Sequence, residues 1–386
     1  MDIVIITPSF LPQLCGMTFA ALQHALLLRQ SGNRVAVMSS CSHRDARDVA
    51  RFLRDRDIDH LPVDIAGSGL FSRPVVGDTG SVMQSLVDWG AQVVLVEGKY
   101  SWGYHLIPAI KAKGFCIALL SHGSSPLRFE WTPRWLGRSA VYGLYYMLHE
   151  RRNMVCVDSV GVLSAHEDRD RFRDASFFRR YGFHPIVVSN SSLEDIARGL
   201  RRVPGSAGQL RIALVGDMSD VKNQRAAIGI ADSNDAIAFI RFYFPKTNSY
   251  STEFLRAVDR ACIANFEFRV GMERSAIMES LGDIDLIICL SKTEAQPLAI
   301  VDGLACGIPF LSTPVGCMES MKGGVVTEIS QMPAVVRELA VDRGRMSRLE
   351  SDAKEFYRAN LSEEAVKPAL VRLVSEALSA TLDTSK

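Results

Sequence analysis

Short apolar runs alternate with helix-length segments along the whole chain. In the first half the runs fall at Ile3 to Thr7, Val35 to Ser39, Val93 to Glu97 and Ile117 to Ser121. Helical spacing of apolar positions covers Thr18 to Ser31 and Arg44 to Asp55. Runs with no polar alternation read as strands buried on both faces, and strands separated by helices predict a doubly wound parallel sheet. A long helical stretch, Arg134 to Arg152, precedes two further runs at Ser159 to Leu163 and Pro185 to Ser189.

The pattern lapses between Arg198 and Gln209, where Gly, Pro and Ser collect around Pro204 and Gly205. Such composition suits a linker. Strand-like runs then resume at Arg211 to Val215, Ala238 to Phe244, Phe266 to Val270, Leu286 to Leu290 and Pro309 to Ser312. The chain thus divides into a domain over residues 1–197, a linker over 198–209 and a second domain over 210–355. A helical tail over 356–386 is expected to pack back toward the first domain, with a kink or break at Pro368. A length of 386 residues agrees with two domains, each with its own core. Ligands of open α/β sheets bind beyond the carboxyl ends of the strands, so two such domains are expected to face each other across a cleft lined by strand-to-helix loops.

Charge narrows the partners. Lys and Arg number 44 against 43 Asp and Glu, a formal net charge of +1, which does not supply the basic field that holds nucleic acid. The eight cysteines are scattered through apolar runs without metal-site spacing, and read as small buried hydrophobes in a reducing compartment. The N-terminal run lacks a basic flank and ends at Pro8, which marks a first strand rather than a leader. No run approaches the length of a membrane span, so a cytoplasmic protein is expected.

The most informative segment runs from Ser291 to Pro309. A strand leads into a polar loop carrying Glu294 and Gln296, and Pro297-Leu298 opens a helix. Free N–H groups at that helix start form an anion site suited to a diphosphate. Asp302 falls about one helical turn further in, and Gly307-Ile308-Pro309 closes the helix. Two acids beside an anion site suit hydrogen bonds from sugar hydroxyls better than contact with phosphate.

This segment resembles the signature of retaining GT-B nucleotide-sugar glycosyltransferases, the group that includes many bacterial envelope, capsule and lipopolysaccharide enzymes. There a Glu, seven residues and a second Glu precede an Ala-x-Gly-x-Pro turn. Here the acids are Glu294 and Asp302, and the turn is Ala305-Cys306-Gly307-Ile308-Pro309, followed by Thr313-Pro314-Val315-Gly316. The resemblance implies that Glu294 contacts the transferred sugar and Asp302, one methylene shorter than the usual Glu, the ribose.

A second similarity lies at Gly216-Asp217-Met218-Ser219-Asp220-Val221-Lys222. The family shows Gly-Arg, a spacer and a Lys that neutralises the donor diphosphate. Lys222 matches, whereas Asp217 stands in place of the Arg, where an acid repels phosphate. In the first domain the family has a Gly-Gly loop after the first strand, of which Gly16 remains and Cys15 replaces the other. It also has a His at the place of His122, in contact with the donor sugar. Read from the residues alone, His122 is equally a satisfied hydrogen-bonding residue at a strand end, and Lys222 a solvated surface charge.

Residues 128–152 interleave Arg128, Arg134, Arg138, Arg151 and Arg152 with Phe129, Trp131, Trp135 and three tyrosines. Such a stretch either packs its aromatics into a core or lies on the anionic inner face of a membrane. The resemblance implies a metal-independent hexosyltransferase that needs no cofactor. It would move a sugar from a nucleotide diphosphate-sugar to a glycan or lipid-linked acceptor in surface polysaccharide synthesis. Asp217, Cys15 and Asp302 keep open a non-catalytic GT-B partner protein that has lost donor chemistry. An epimerase or phosphorylase on the same fold is a third reading, without a motif of its own.

Overall fold

A computed structural model describes the chain except for residues 9, 12–14, 41–42, 71–72, 100, 124–148, 167–172, 193, 204, 206–207, 233 and 384–386. The described residues form two compact units, Met1–Val188 with Val366–Lys386, and Ser189–Ala365. Most of the expected helix over 134–152, and most of the basic and aromatic stretch, lies outside the described residues; residues 149–154 are helical.

In the first unit the strands β1 (Asp2–Thr7), β2 (Arg34–Ser40), β3 (Asp59–Val63), β6 (Val93–Glu97), β7 (Cys116–Ser121), β8 (Ser159–Val162) and β9 (Ile186–Val187) make one parallel sheet. Their order is β3-β2-β1-β6-β7-β8-β9. A two-stranded antiparallel ribbon, β4 (Ile65–Leu70) with β5 (Arg73–Gly77), and the helices Thr79–Trp89 and Trp102–Lys111 were not legible in the apolar pattern. One core layer lies on each face of the sheet, as uninterrupted apolar strands require. Val4, Ile6, Val94 and Val96 pack on one side, and Ile3, Ile5, Val93 and Leu95 on the other.

The second unit repeats the scheme. Its strands are β10 (Leu210–Val215), β11 (Ile237–Phe244), β12 (Phe266–Val270), β13 (Leu286–Cys289), β14 (Phe310–Ser312) and β15 (Gly324–Val326). They are parallel throughout, in the order β12-β11-β10-β13-β14-β15. Gly303 lets the helix Leu298–Ala305 lie tight on this sheet, because a Cβ there would come within 2.4 Å of Ile287 Cδ1. In both sheets the order reverses about the first strand, so each has a topological switch point: between β1 and β6, and between β10 and β13.

The division of the chain differs from the expected linker. It falls between Val188 and Ser189, and residues 194–199 form a helix of the second unit. Part of that stretch is closely packed, although a Cβ on Gly199 or Gly208 would meet nothing within 4 Å. Val203 N donates to Gly282 O (2.8 Å), and a Cβ on Gly205 would sit 2.8 Å from the Asp285 carboxylate. Asp285 itself pairs with Arg211, 2.9 Å away.

The tail also divides differently. A helix over Arg343–Asn360 stays in the second unit, and the helix Glu363–Asp383 runs through Pro368 without a break. From Val366 onward this last helix belongs to the first unit, where Val366, Leu370, Leu373, Val374 and Ala377 complete the core layer of Ile3 and Ile5. Ser159 Oγ donates to Leu373 O (2.7 Å), and Gly161 makes room for the Leu373 side chain, which a Cβ would approach to 2.9 Å. Among the described residues four cysteines are buried as expected, whereas Cys262 is exposed at a left-handed turn position, φ 53°.

Candidate functional site

The loops after β10 and β13 meet at the switch point of the second sheet. Gly216 follows β10 with φ 146°, a value that favours glycine, and the Lys222 side chain runs past it, its Cε 3.7 Å from where a Cβ would stand. Lys292 N donates to Val221 O (2.8 Å), which ties the turn carrying Lys222 to the loop carrying Glu294. As a result the Lys222 ammonium forms an ion pair with Glu294 Oε1, and Ser291 Oγ donates to the same oxygen at 2.7 Å. Burial works against the charge of Lys222, but the Glu294 carboxylate outweighs it and, with smaller help from Asp217, holds the pKa above the ordinary lysine range.

The Glu294 loop is braced from behind. Gly316, at φ 53°, passes so close that a Cβ would come within 2.4 Å of Glu294 O and 2.3 Å of Ala295 O, and Cys317 N donates to Ala295 O (3.0 Å). Gln296 faces inward: its Oε1 accepts from Asn190 N (2.6 Å), and Asn190 Nδ2 reaches its backbone oxygen at 3.3 Å. Its side chain therefore holds the loop. Pro297 is the N-cap rather than the first helical residue, and the helix starts at Leu298. The first intrahelical bonds come from Ile300 and Val301, both to Pro297 O, so the N–H groups of Leu298 and Ala299 remain available to an anion.

Asp302 is buried and already engaged. Oδ1 accepts from Ser192 Oγ (2.6 Å) and Arg274 Nη2 (2.6 Å), and Oδ2 accepts from Arg274 Nε at 3.2 Å. The oxygen with the more open lone pairs is Oδ2. The structure thus brings Gly216, Lys222, Glu294 and the start of the helix at Leu298 together, with Asp302 deeper in a separate polar cluster. Asp217 is exposed, and its backbone oxygen accepts from Gln224 Nε2 (2.8 Å).

In the first unit the switch point carries its own cluster. Gly16 is the first residue of the helix Gly16–Gln30, after Cys15 in extended conformation (φ −141°, ψ 169°). His122 follows the end of β7, and its Nε2 lies 3.6 Å from Oε2 of Glu97, the last residue of β6. His24, from the helix, places Nδ1 2.7 Å from Glu97 Oε1. Sequence reading missed Glu97, His24, Arg274, Ser192 and Ser291. Only Glu97 left a signal, as an acid ending an otherwise apolar run.

Ligand atoms of His24, Glu97 and His122 lie within 4.8 Å of one another, a set that includes two imidazole nitrogens and a carboxylate. Among the described residues no helix is long and apolar enough to cross a membrane.

Two doubly wound units in one chain, with a final helix that belongs to the first, make this the GT-B fold. No family model and no curated protein sequence matches the chain. Solved structures match it over nearly its whole length. Sucrose-phosphate synthase from Thermosynechococcus elongatus superposes with a TM-score of 0.73 at 12% identity, covering 98% of this chain and 99% of that one. HepE of Anabaena, solved in complex with UDP and glucose, gives 0.72 at 14% identity, covering 97% and 99%. TarM gives 0.71 at 11% identity, covering 97% and 98%.

Proposed function

We propose that the chain is a retaining, metal-independent glycosyltransferase that uses a nucleotide diphosphate-sugar donor and a glycan or lipid-linked acceptor. The observation that supports this best is the meeting of Lys222 and Glu294 at the β10–β13 switch point, beside the available N–H groups of Leu298 and Ala299. A cation and two amides suit a diphosphate leaving group, and a carboxylate with a free oxygen suits sugar hydroxyls. Without donor, Lys222 and Glu294 neutralise each other; a bound diphosphate takes over the lysine and frees Glu294 for the sugar. Gly16 and His122 stand at the carboxyl end of the other sheet, where the resemblance gives them sugar and phosphate contacts.

A second reading, a GT-B protein without donor chemistry, draws on Asp302, which is bound to Arg274 rather than free for a ribose, and on Asp217 in place of a basic residue. One screen separates the two. Purified protein is melted in the presence of UDP, GDP, ADP, TDP and CMP, since a ligand at about 100 times its Kd adds roughly 2.7 kcal/mol. A shift with one nucleotide that Lys222→Ala abolishes supports the donor site. The absence of any shift rejects the glycosyltransferase. Given such a shift, Glu294→Ala is expected to keep the fold and lose transfer.

A further inference from the structure

We propose that Glu97 is a positioning residue for His122: it engages the Nε2 side of the ring and leaves Nδ1 as the atom that meets a ligand. Glu97 is wholly buried at the end of β6, and one imidazole faces each of its two oxygens. His24 Nδ1 stands 2.7 Å from Oε1, and His122 Nε2 stands 3.6 Å from Oε2. Both Glu97 Oε2 and His122 Nε2 are buried, and neither has a hydrogen-bond partner among the described residues. A closure of a few tenths of an ångström pairs them, and leaving both unpaired costs about 1–3 kcal/mol each.

Burial would drive Glu97 to its neutral form. The facing imidazoles of His24 and His122 outweigh that, and hold its pKa down at about 2. The carboxylate is therefore charged, and a buried charge requires a donor at each oxygen. Other charged groups nearby are committed elsewhere. Lys99, two residues on, pairs with Glu150 at 3.3 Å and lies over the Phe177 ring, and Asp174 accepts from Ser121 Oγ. That leaves the proton on His122 Nε2 as the partner for Oε2. A donor on Nε2 fixes the tautomer, so Nδ1, across the ring, is free to accept from a hydroxyl or to take a further proton. His24, 1% exposed, is too deep to reach a ligand and anchors the carboxylate from the other side.

The ring assignment stands on its own; the sugar as the ligand of Nδ1 rests on the function proposed above. The full-length chain labelled with 15N-histidine is examined at pH 7 by long-range 1H–15N correlation, with His122→Gln used to assign the ring. We expect Nε2 of His122 to carry a proton, and Glu97→Gln, whose amide can donate to Nε2, to convert the ring toward the Nδ1–H form. A wild-type ring with bare Nε2 overturns the proposal.

Stoichiometric zinc uptake, lost in both His24→Ala and Glu97→Gln, overturns it as well, by giving the cluster to a metal. If UDP-glucose is turned over, Glu97→Gln should lower kcat about 10- to 100-fold with little change in KM, and Glu97→Asp should recover part of the loss. An unchanged kcat in Glu97→Gln overturns the positioning role. Absence of turnover in the wild type counts against the glycosyltransferase alone, because the ring tautomer is read without substrate.

Discussion

Arg274→Ala should be among the most damaging single substitutions in the second unit, although Arg274 lies far from Asp302 in sequence. The side chains of Arg274 and Asp302 are only 10% and 11% exposed, and two nitrogens of the guanidinium engage both carboxylate oxygens at 2.6 and 3.2 Å. Removing one partner of a buried pair costs about 3–5 kcal/mol, since the other charge is left without compensation. Ser192 Oγ still donates to Oδ1 at 2.6 Å, which places the expected loss near the lower end, about 3 kcal/mol. For a unit of this size that is a fall in Tm of roughly 6–12 °C.

The double variant Arg274→Met/Asp302→Leu should lose less than Arg274→Ala, because no buried charge remains. Calorimetry is the suitable assay, because it follows the unfolding of the second unit directly without relying on a local probe. A loss below about 1 kcal/mol for Arg274→Ala, the range of an exposed ion pair, would refute the reasoning.

Two further outcomes are expected. Gly316→Ala puts a Cβ within 2.4 Å of two backbone oxygens at a left-handed φ, so it should cost more than about 1–2 kcal/mol and displace the Glu294 loop; a wild-type melting curve together with intact nucleotide binding contradicts this. The second concerns pH. The Glu97 pKa, about 2 in the folded chain, lies below the ordinary value of 4.5, so the stability it contributes is complete above pH 4.5 and is lost as pH falls through 2. The full difference is on the order of 3 kcal/mol, and urea unfolding between pH 5 and 2 should show a loss in wild type that Glu97→Gln lacks. Parallel curves for the two proteins would exclude it.

Much of the scaffold was legible because uninterrupted apolar runs such as Ile3 to Thr7 and Leu286 to Leu290 have only one comfortable position, inside a parallel sheet. The run from Glu294 to Pro309 was legible for a similar reason: a polar loop, a proline, one short helix and a glycine stop are all local signals. Strand-to-helix loops then put Lys222 and Glu294 at one sheet end.

What the sequence left open depended on contacts between residues far apart in it. Pro204 and Gly205 read as a linker because composition reports backbone freedom, whereas the packing of Gly205 on Asp285 depends on a strand that lies 80 positions later. Pro368 read as a break, yet the helix around it continues, stabilised by Leu370, Leu373 and Val374 in the core. The motif offers Asp302 as a ribose ligand, but gives no sign that Arg274 and Ser192 reach it from other elements. Glu97, His24 and His122 are three ordinary residues on three elements, and only the folding of β1, β6 and β7 side by side makes them one buried charge and its two partners. Local propensity is written in neighbouring residues; the partner of a buried charge is decided by the topology that brings distant ones together.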